Sequence, residues 1–224
     1  MPRKQASLRS LAMSDSRRVL LLDVLGTLVR DPFHEDVAPA LGMSFEELLR
    51  AKHPTAWVEF ELGELTEAEF LPRFFADGRA YDHAALKQSF VDGFRLLDGI
   101  EALLTDLNAA GNRPHLLSNY PVWYHAIEAK LRLSRFADWS FVSCDTRVRK
   151  PDADAFLKPL RTLEVAPSDC LFVDDVEKNV RAAAQLGITS IRFTGAARLR
   201  EVLRQQGFLG GSKGPNGTEK GAER

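Results

Sequence analysis

Five short apolar runs, each of strand length, are the feature that most constrains how this chain folds. The runs read VLLLD, PHLLSN, WSFVSC, CLFVDD and ITSIRF. Three of them are close to continuously apolar rather than alternating, which is typical of strands that helices cover on both faces. Segments with helical periodicity separate the runs, and this alternation predicts an α/β fold with a doubly wound parallel sheet.

The helical segments between these runs carry their own signals. Gly111 and Gly187 follow two of the segments, at positions where glycine commonly ends a helix. Right-handed crossovers would then place the carboxyl ends of all the strands along one edge of the sheet. The apolar residues that share one helical face before PHLLSN are Ile100, Leu103, Leu104 and Leu107.

Residues 31–95 break this alternation, because helical patterns dominate there and eight of the fourteen phenylalanines lie between Phe33 and Phe94. We interpret this stretch as a small helical insert after the first strand of a Rossmann-type core. Both ends of the chain are polar, which is typical of segments without a packed structure. The predicted organisation is a flexible tail (1–16), a core (17–30 and 96–208), the cap insert (31–95) and a disordered tail (209–224).

The charge balance limits the classes of partner. The chain of 224 residues has a formal net charge of -1 and a sequence pI of about 6.5. Nucleic-acid and membrane-surface partners usually require a strong basic bias, so neither is expected. No apolar run reaches the roughly 18 residues that a transmembrane helix needs.

Cysteine usage bears on the compartment. Cys144 and Cys170 suit a reducing environment, and a disulfide between them is not expected because they fall at opposite ends of their strands. We therefore expect a cytoplasmic protein. The N-terminal segment is basic and contains serine, a composition that is also typical of the remnant of a plastid transit peptide. The oligomeric state is left open by the sequence.

Polar side chains end three of the apolar runs. Asp23 ends the first, Ser118 lies at the end of the second, and the pair Asp174–Asp175 ends the fourth. The carboxyl edge of a parallel sheet is where ligands bind. Three carboxylates gathered there repel one another. A divalent cation and Lys150 are predicted to offset this repulsion.

Such a combination suits a phosphate ester. An aspartate at a strand end can attack phosphorus and form an acyl phosphate, while Mg²⁺ bridges the two anions through one or two carboxylates. Asp23 and Asp175 are the candidate carboxylates. Lys150 and Ser118 are the candidates to hold the phosphoryl oxygens. The backbone N–H groups predicted to complete the phosphate-binding cradle belong to Gly26, Thr27 and Asn119.

Four segments resemble the four motifs of the haloacid dehalogenase superfamily: DVLGTL, LLSN, VRKPDADAF and LFVDDVEKNVRAAAQLGI. The resemblance covers about residues 19–193 and implies the fold of that superfamily, with the insert at the position of its helical cap. It implies that Asp23 is the nucleophile, Ser118 the phosphate-binding hydroxyl and Lys150 the stabilising cation. It also implies Mg²⁺ as the cofactor and Asp175 as a metal ligand. Asp174 would be a second acid, linked to the metal-bound water or to Lys150.

Further segments are similar to the plant-type flavin mononucleotide (FMN) hydrolases: VRDPFHEDV, GMSFEELLRAKHPTAW, FFADGRAYD, SNYPVWYHAIEAKLRLS and DCLFVDD. This resemblance implies a small phosphorylated substrate, FMN in particular. The cap is expected to close over the edge of the sheet and to select that substrate. The aromatic residues predicted to stack on a flavin are Trp57, Phe60, Trp123 and Tyr124.

Leu25 departs from the pattern of the superfamily's phosphatases, which usually carry a second aspartate two residues after the nucleophile, as acid and base. In the family the main-chain carbonyl at this position is a metal ligand, so Leu25 is still expected to contribute to magnesium binding. General acid–base catalysis typically contributes about 100- to 10,000-fold, or on the order of 3–5 kcal/mol of the barrier. The groups considered as substitutes are Asp31, Glu35, His34 and His53.

Two further interpretations of Leu25 stay open. The first is a metal-independent haloacid dehalogenase-type hydrolase, because the superfamily's dehalogenases also lack that aspartate. The acidic pair Asp174–Asp175 argues against this interpretation, since the fourth motif of those enzymes is not an acidic pair. The second is a catalytically impaired protein that binds phosphorylated ligands.

Overall fold

The structure, a computed structural model, describes residues 18–210, and this range contains a parallel sheet of five strands. The strands are β1 (Val19–Leu22), β2 (His115–Ser118), β3 (Asp138–Val142), β4 (Cys170–Asp174) and β5 (Thr189–Arg192). In the sheet they follow the order β3-β2-β1-β4-β5, and each neighbouring pair is parallel. The predicted strands and the doubly wound α/β architecture are therefore confirmed.

The helices fall where the periodicity of the sequence indicates. The apolar face before β2 is buried, and Gly111 and Gly187 follow two of the helices with φ values of 81° and 84°. Within residues 18–210, none of the helices combines the length and the apolar character that crossing a membrane requires. In chain order the helices are α1 (Ala38–Ala40), α2 (Phe45–Ala51), α3 (Ala56–Glu61), α4 (Glu67–Phe70), α5 (His83–Gly93), α6 (Ile100–Ala109), α7 (Tyr124–Leu131), α8 (Ser143–Thr146), α9 (Ala153–Leu163), α10 (Glu177–Gln185) and α11 (Ala196–Gln205).

The ends of the chain and the two cysteines complete this description. The predicted tail at 1–16 lies outside the described residues, as do residues 211–224 of the predicted C-terminal tail. Leu209 is described and buried. Cys144 lies in α8 and Cys170 begins β4, and both are free, buried thiols.

Strand β1 lies at the centre of the sheet and is buried on both faces. Leu20 and Leu22 belong to one hydrophobic core, whereas Val19 and Leu21 belong to the other. Successive side chains of a strand point to opposite faces. A continuous apolar run is therefore what a central strand with helices on both sides requires.

The register of the strands aligns their carboxyl ends. Leu22 of β1 pairs with Leu116 of β2 and with Val173 of β4. The next residues, Asp23 after β1 and Asp174 in β4, are therefore side by side. The Asp23 N–H donates to the Val173 carbonyl at 2.9 Å, which extends the pairing by one step. The predicted gathering of polar groups at one edge follows from this register.

Helices α1 to α5 form an insert between β1 and α6, called the helical insert below (residues 31–95). The chain enters and leaves the insert along paired segments. The Arg30 N–H donates to the Arg95 carbonyl at 2.9 Å, and the Leu97 N–H donates to the Leu28 carbonyl at 2.9 Å. Capping boxes begin α2 and α4 and satisfy N–H groups at those helix ends.

An aromatic cluster joins the helical insert to the rest of the molecule. Trp57 of α3 and Phe90 of α5 stack with their ring centroids 5.5 Å apart. The ring of Trp123, just before α7, lies 6.1 Å from Trp57 and 5.4 Å from Phe90. Phe90 and Trp123 belong to the same hydrophobic core as Leu20 of β1. The insert and the sheet therefore share one core.

Candidate active site

A cavity of about 330 Å³ lies at the carboxyl edge of the sheet, with walls from both the sheet and the helical insert. It gathers residues that are far apart in sequence, since β1, β2, β4 and the segment before α9 all contribute. The sequence-predicted residues that line it are Asp23, Leu25, Asp31, His53, Trp57, Ser118, Asn119, Lys150, Asp174 and Asp175.

Asp23 directly follows β1 and is almost fully buried. Different partners hold its two carboxylate oxygens: Lys150 Nζ donates to Oδ1 at 2.6 Å, and the Thr27 hydroxyl donates to Oδ2 at 3.0 Å. Burial raises the pKa of the Asp23 carboxyl to about 7, against the lowering effect of the Lys150 charge. The carboxylate is thus oriented through both oxygens, as positioning for nucleophilic attack requires.

Lys150 is the buried cation of the site, with a side chain that is 1% exposed. Its ammonium group donates to Asp23 Oδ1 at 2.6 Å, to Asp174 Oδ2 at 2.7 Å and to the Leu117 carbonyl at 2.7 Å. Burial by itself lowers the pKa of a lysine, but the two carboxylates outweigh it and raise the pKa of Lys150 above its usual value. Lys150 therefore stays charged, and its three N–H donors are used within the protein.

The side chain of Asn119 positions Lys150. Its Oδ1 accepts from the Lys150 N–H at 2.8 Å, and its Nδ2 donates to the Lys150 carbonyl at 2.8 Å. These two bonds hold the main chain of a residue that is 31 positions away in sequence. Ser118, one residue earlier, ends β2 and is buried at the cavity wall. Ser118 therefore contributes its hydroxyl to the cavity, and Asn119 holds the main chain of Lys150 in place.

Asp174 ends β4 and is saturated with hydrogen bonds. Its Oδ1 accepts from the Val176 N–H at 2.8 Å, its Oδ2 accepts from Lys150 at 2.7 Å, and the Asn179 amide donates to both oxygens at 3.1 Å. The contact with Lys150 is one of the two links that the resemblance implies. No role was predicted for Asn179, although it lies within the motif LFVDDVEKNVRAAAQLGI. It is on the first turn of α10.

Asp175 carries an oxygen that lacks a partner. Among the described residues its buried Oδ1 accepts no hydrogen bond, and burial together with the Asp174 charge raises the pKa of its carboxyl. Gly26 lies against this carboxylate. A Cβ atom on Gly26 would be 2.4 Å from Asp175 Oδ2, and the φ of 84° at Gly26 also disfavours any side chain. Position 26 therefore requires glycine for two independent reasons.

The carboxylates at this edge fit a divalent cation. One oxygen from each of Asp23, Asp174 and Asp175 lies within 4.8 Å of the other two. Carboxylate oxygens are the ligands that hard cations such as Mg²⁺ prefer. Lys150 bonds to two of these groups, and Asp175 forms no ion pair among the described residues. Asp174 accepts four hydrogen bonds and Asp23 accepts two, whereas Asp175 Oδ1 accepts none from the described residues. Asp175 is therefore the side chain best able to ligate a metal directly, followed by Asp23.

Leu25 lies in a tight hairpin turn between Asp23 and Val29 and is half-buried at the cavity wall. The Gly26 N–H donates to the Val29 carbonyl at 2.8 Å, and the Thr27 N–H donates to the Val24 carbonyl at 3.3 Å. These two N–H groups, which were predicted to bind phosphate, are instead used to close the hairpin. Thr27 contributes its hydroxyl to Asp23, and Gly26 contributes space for Asp175.

The two histidines considered as acid–base substitutes lie in different places. His53 lines the cavity, and its Nδ1 accepts hydrogen bonds from the N–H groups of Thr55 at 3.3 Å and Ala56 at 3.1 Å. In the neutral ring the proton therefore sits on Nε2. His34 is exposed, packs against Phe45 and does not line the cavity. The structure thus brings one of the two histidines to the site.

The aromatic candidates also separate. Trp57 lines the cavity, stacks on Phe90 and donates its indole N–H to Glu61 Oε1 at 2.6 Å. Tyr124 is half-buried beside Trp139, with ring centroids 5.0 Å apart, and does not line the cavity. The remaining two candidates are packed in the aromatic cluster and are also absent from the cavity wall: Phe60 and Trp123.

The cavity wall also contains residues that were not predicted from the sequence, among them Tyr120, Glu61 and Arg149. The Tyr120 hydroxyl is buried without a hydrogen-bond partner among the described residues, and burial raises its pKa well above the usual value. Its signal was present, because Tyr120 directly follows the strand-end residues Ser118 and Asn119. Glu61 accepts from Arg149 Nη2 at 2.7 Å and Nε at 3.1 Å, across 88 positions of sequence. No local pattern marks such a distant pair.

Comparisons with known sequences agree with this geometry. A family model described as haloacid dehalogenase-like hydrolase matches residues 18–187. The chain is 42% identical over 190 residues to the chloroplast flavin mononucleotide hydrolase 1 of Arabidopsis thaliana, covering 85% of this chain and 78% of that protein. It is 27% identical over 105 residues to a sesquiterpene phosphatase of Aspergillus oryzae, covering 46% of this chain and 54% of that protein.

Solved structures share the fold at low sequence identity. A haloacid dehalogenase family enzyme from Bacteroides thetaiotaomicron, in complex with magnesium and inorganic phosphate, has a TM-score of 0.64 and 20% identity, covering 79% of this chain and 94% of that one. The L-2-haloacid dehalogenase of Xanthobacter autotrophicus has a TM-score of 0.60 and 16% identity, covering 88% and 84%. The sequence motifs, the family match and the shared fold agree, and the chain belongs to the haloacid dehalogenase-like hydrolase family.

Proposed function

We propose that this hydrolase is a magnesium-dependent phosphomonoesterase that acts through an aspartyl phosphate on Asp23. The observation that carries the proposal is the buried Lys150 ammonium, held between Asp23 and Asp174 beside the partnerless oxygen of Asp175. This arrangement combines an oriented carboxylate nucleophile, a fixed positive charge and oxygen ligands suited to a hard cation. A phosphate ester requires these three elements together.

The reaction has two steps. An Asp23 oxygen attacks phosphorus, the bond from phosphorus to the ester oxygen breaks, and an aspartyl phosphate forms. Water then attacks phosphorus, the bond to Asp23 breaks, and inorganic phosphate is released. Thr27 orients Asp23, while Lys150 offsets the negative charge next to the nucleophile. Because the donors of Lys150 are used, we assign direct contact with the phosphoryl oxygens to the Ser118 hydroxyl.

The residues that would hold Mg²⁺ are Asp23, Asp175 and the main-chain carbonyl of Leu25. When bound, Mg²⁺ supplies positive charge that allows an anionic phosphate to approach an anionic carboxylate. Asp174 supports this arrangement by holding Lys150 in place.

We propose FMN, or a related small phosphorylated metabolite, as the substrate. The relative in Arabidopsis thaliana is named as an FMN hydrolase. A cavity of about 330 Å³ falls within the range of small-molecule sites. Flat apolar rings on its wall suit stacking against a flavin: Phe33, Trp57, Phe74 and Phe90. The compartment stays a prediction, because residues 1–17 lie outside the described residues.

Phosphate release tests the proposal. The purified protein would be assayed with FMN and with an aryl phosphate, each in the presence of Mg²⁺ and of a chelator. We expect turnover that requires the metal, and we expect Asp23→Asn to lower kcat by about a thousandfold or more. Asp106→Asn is the matched control, since Asp106 pairs with Arg200 on the surface of α6 and should leave kcat unchanged.

Two outcomes would overturn the proposal. If neither phosphate ester is turned over, and Asp23→Asn changes nothing, the chain is a binder of phosphorylated ligands rather than a phosphatase. If 2-chloropropionate is turned over without added metal while both esters are inert, the activity is that of a dehalogenase.

A further inference from the structure

We propose that Asp31, the first residue of the helical insert, is the acid–base residue of this site. The inference rests on the proposed phosphatase function and names a catalytic residue for it. The chemistry demands such a group, because an ester oxygen that leaves as an alkoxide needs a proton and the attacking water must lose one. Leu25, next to the nucleophile, is unable to do either.

Several titratable groups on the cavity wall are already engaged. Lys150 donates to two carboxylates and a carbonyl. Asp174 accepts four hydrogen bonds in all. Glu61 accepts from both Arg149 and Trp57. Each of these groups would have to give up existing bonds in order to move a proton.

Three other groups fail for other reasons. The Nδ1 atom of His53 already accepts from the Thr55 and Ala56 N–H groups, so it would have to give up these bonds in order to take a proton. Burial makes the Tyr120 hydroxyl a very weak acid by raising its pKa. Glu35 pairs with an arginine, is largely exposed and does not line the cavity.

Asp31 has the properties that these groups lack. It is half-buried on the cavity wall, and its Oδ1 accepts from the Phe33 N–H at 3.0 Å, which orients the carboxyl. Its Oδ2 accepts no hydrogen bond from any residue in the range 18–210. Besides burial, the charge of Asp31 contributes to the raised pKa values of both Asp175 and Tyr120. Asp31 therefore lies on the cavity wall, on the side of the insert, near enough for its charge to act on Asp175 and Tyr120.

The path of the chain explains this position. The hairpin that starts at Asp23 turns at Gly26 and returns through Val29. Arg30 then pairs with Arg95 through a hydrogen bond of 2.9 Å, so the two segments that connect the insert to the core lie side by side. Asp31 is the next residue, which brings its carboxylate back to the edge of the sheet that Asp23 occupies.

The proton moves as follows. In the first step, protonated Asp31 gives its proton to the ester oxygen as the bond between phosphorus and that oxygen breaks, and the alcohol leaves. In the second step, the Asp31 carboxylate takes a proton from water as the water oxygen bonds to phosphorus and the bond to Asp23 breaks. Asp31 ends protonated and Asp23 ends as a carboxylate, so no further reactant is consumed.

Asp31→Asn tests this role, since asparagine keeps the oxygen that accepts from Phe33. On FMN, whose leaving group is an alkoxide, we expect kcat to fall by about 100- to 10,000-fold. On an aryl phosphate, whose phenolate leaves without a proton, we expect a burst of one phenolate per protein followed by slow turnover, because the water step still lacks its base. Glu35→Gln is the matched control and should retain normal kinetics on both substrates.

Leu25→Asp provides a second test. It should raise FMN turnover far more in the Asp31→Asn background than in the wild type, because only the variant lacks an acid–base group. If Leu25→Asp accelerates the wild type as much as the variant, the wild type lacks such a group and the inference is overturned.

Three other outcomes would overturn the role of Asp31. They are unchanged FMN kinetics in Asp31→Asn, equal losses of activity on both esters without a burst, and a loss of activity that excess Mg²⁺ repairs. A wild-type protein that turns over neither ester would instead be a failure of the proposed function itself.

Discussion

Lys150 carries its charge between Asp23 and Asp174 at a point where its side chain is 1% exposed. A buried charge is costly unless it is paired and hydrogen-bonded, and each proton of this ammonium has an acceptor. Tyr120 is the opposite case at the same cavity, since its hydroxyl is buried without a partner among the described residues. An unsatisfied buried donor costs about 1–3 kcal/mol. A hydrogen bond from the Tyr120 hydroxyl to a bound ligand would remove this cost.

Tyr120→Phe should therefore separate stability from binding. Without ligand, the variant should be as stable as the wild type or more stable, whereas KM for FMN should rise about 3- to 10-fold with the loss of one hydrogen bond. Urea unfolding and steady-state kinetics measure the two effects. Tyr81→Phe is the matched control, because Tyr81 donates to the Leu71 carbonyl at 2.6 Å outside the cavity. It should lose about 1 kcal/mol of stability and keep its KM; the same behaviour in Tyr120→Phe would contradict the assignment.

At the scale of elements, α3 is the part of the helical insert that is tied to the carboxyl edge of the sheet. The Ser143 hydroxyl, at the start of α8, donates to the Glu61 carbonyl at 2.6 Å and accepts from the Tyr120 N–H at 3.0 Å. The Glu61 carboxylate binds Arg149, which directly precedes Lys150 in the chain. The end of α3 thus contacts the segment that carries the buried lysine directly, and it is linked through Ser143 to the segment after β2.

Glu61 also makes this junction dependent on pH. Burial raises the pKa of Glu61, against the effects of Arg149 and Trp57. The stability linked to Glu61 is therefore fully present below its unfolded pKa of about 4.5 and is lost as the pH rises through the raised folded value. Glu61→Gln stays neutral, so its free energy of unfolding should improve relative to the wild type as the pH rises above about 4.5. Urea unfolding at a series of pH values measures this difference.

Glu59, in the same helix, is a control for which the pH dependence of stability is expected to have the opposite sign. A side-chain hydrogen bond from Thr55 lowers its pKa, so the stability linked to Glu59 is present above pH 4.5 and is lost as the pH falls through its folded value. The free energy of unfolding of Glu59→Gln should therefore fall furthest below that of the wild type at neutral pH. If Glu61→Gln follows the same trend as Glu59→Gln, attraction by Arg149 outweighs the burial of Glu61.

At the scale of the whole molecule, the helical insert and the sheet are not separate hydrophobic units. One core contains Phe60, Phe70 and Phe90 from the insert together with Leu22 of β1 and Leu104 of α6. A unit that shares its core with its neighbour has little apolar surface of its own to bury. Unfolding the insert alone would expose one side of this core to water.

We therefore expect a single cooperative unfolding transition. The calorimetric enthalpy should equal the van't Hoff enthalpy, and slow amide exchange should extend through α5 as well as through β1 and β4. A lower-temperature transition confined to the insert, or fast exchange throughout α5, would contradict a shared core.

Much of this molecule was predictable from local features of the chain. The continuous apolar run of β1, the glycines after α6 and α10, and the carboxylates at strand ends are local, and the structure agrees with each. Because parallel strands align their carboxyl ends, Asp23, Ser118 and Asp174 were expected to meet. The physical reason is that burial on two faces and strand direction are recorded in short stretches of sequence.

Only the tertiary structure decided which donors and acceptors are free. It places Lys150 on Asp23 across 127 positions, and it uses the N–H groups of Gly26 and Thr27 within the hairpin. It keeps Tyr124 away from the cavity, and it leaves one oxygen of Asp31, on the cavity wall, without a hydrogen bond from residues 18–210. Hydrogen-bonding capacity is filled by whichever groups packing brings close. The chemistry that remains available to a ligand is therefore a property of the folded chain.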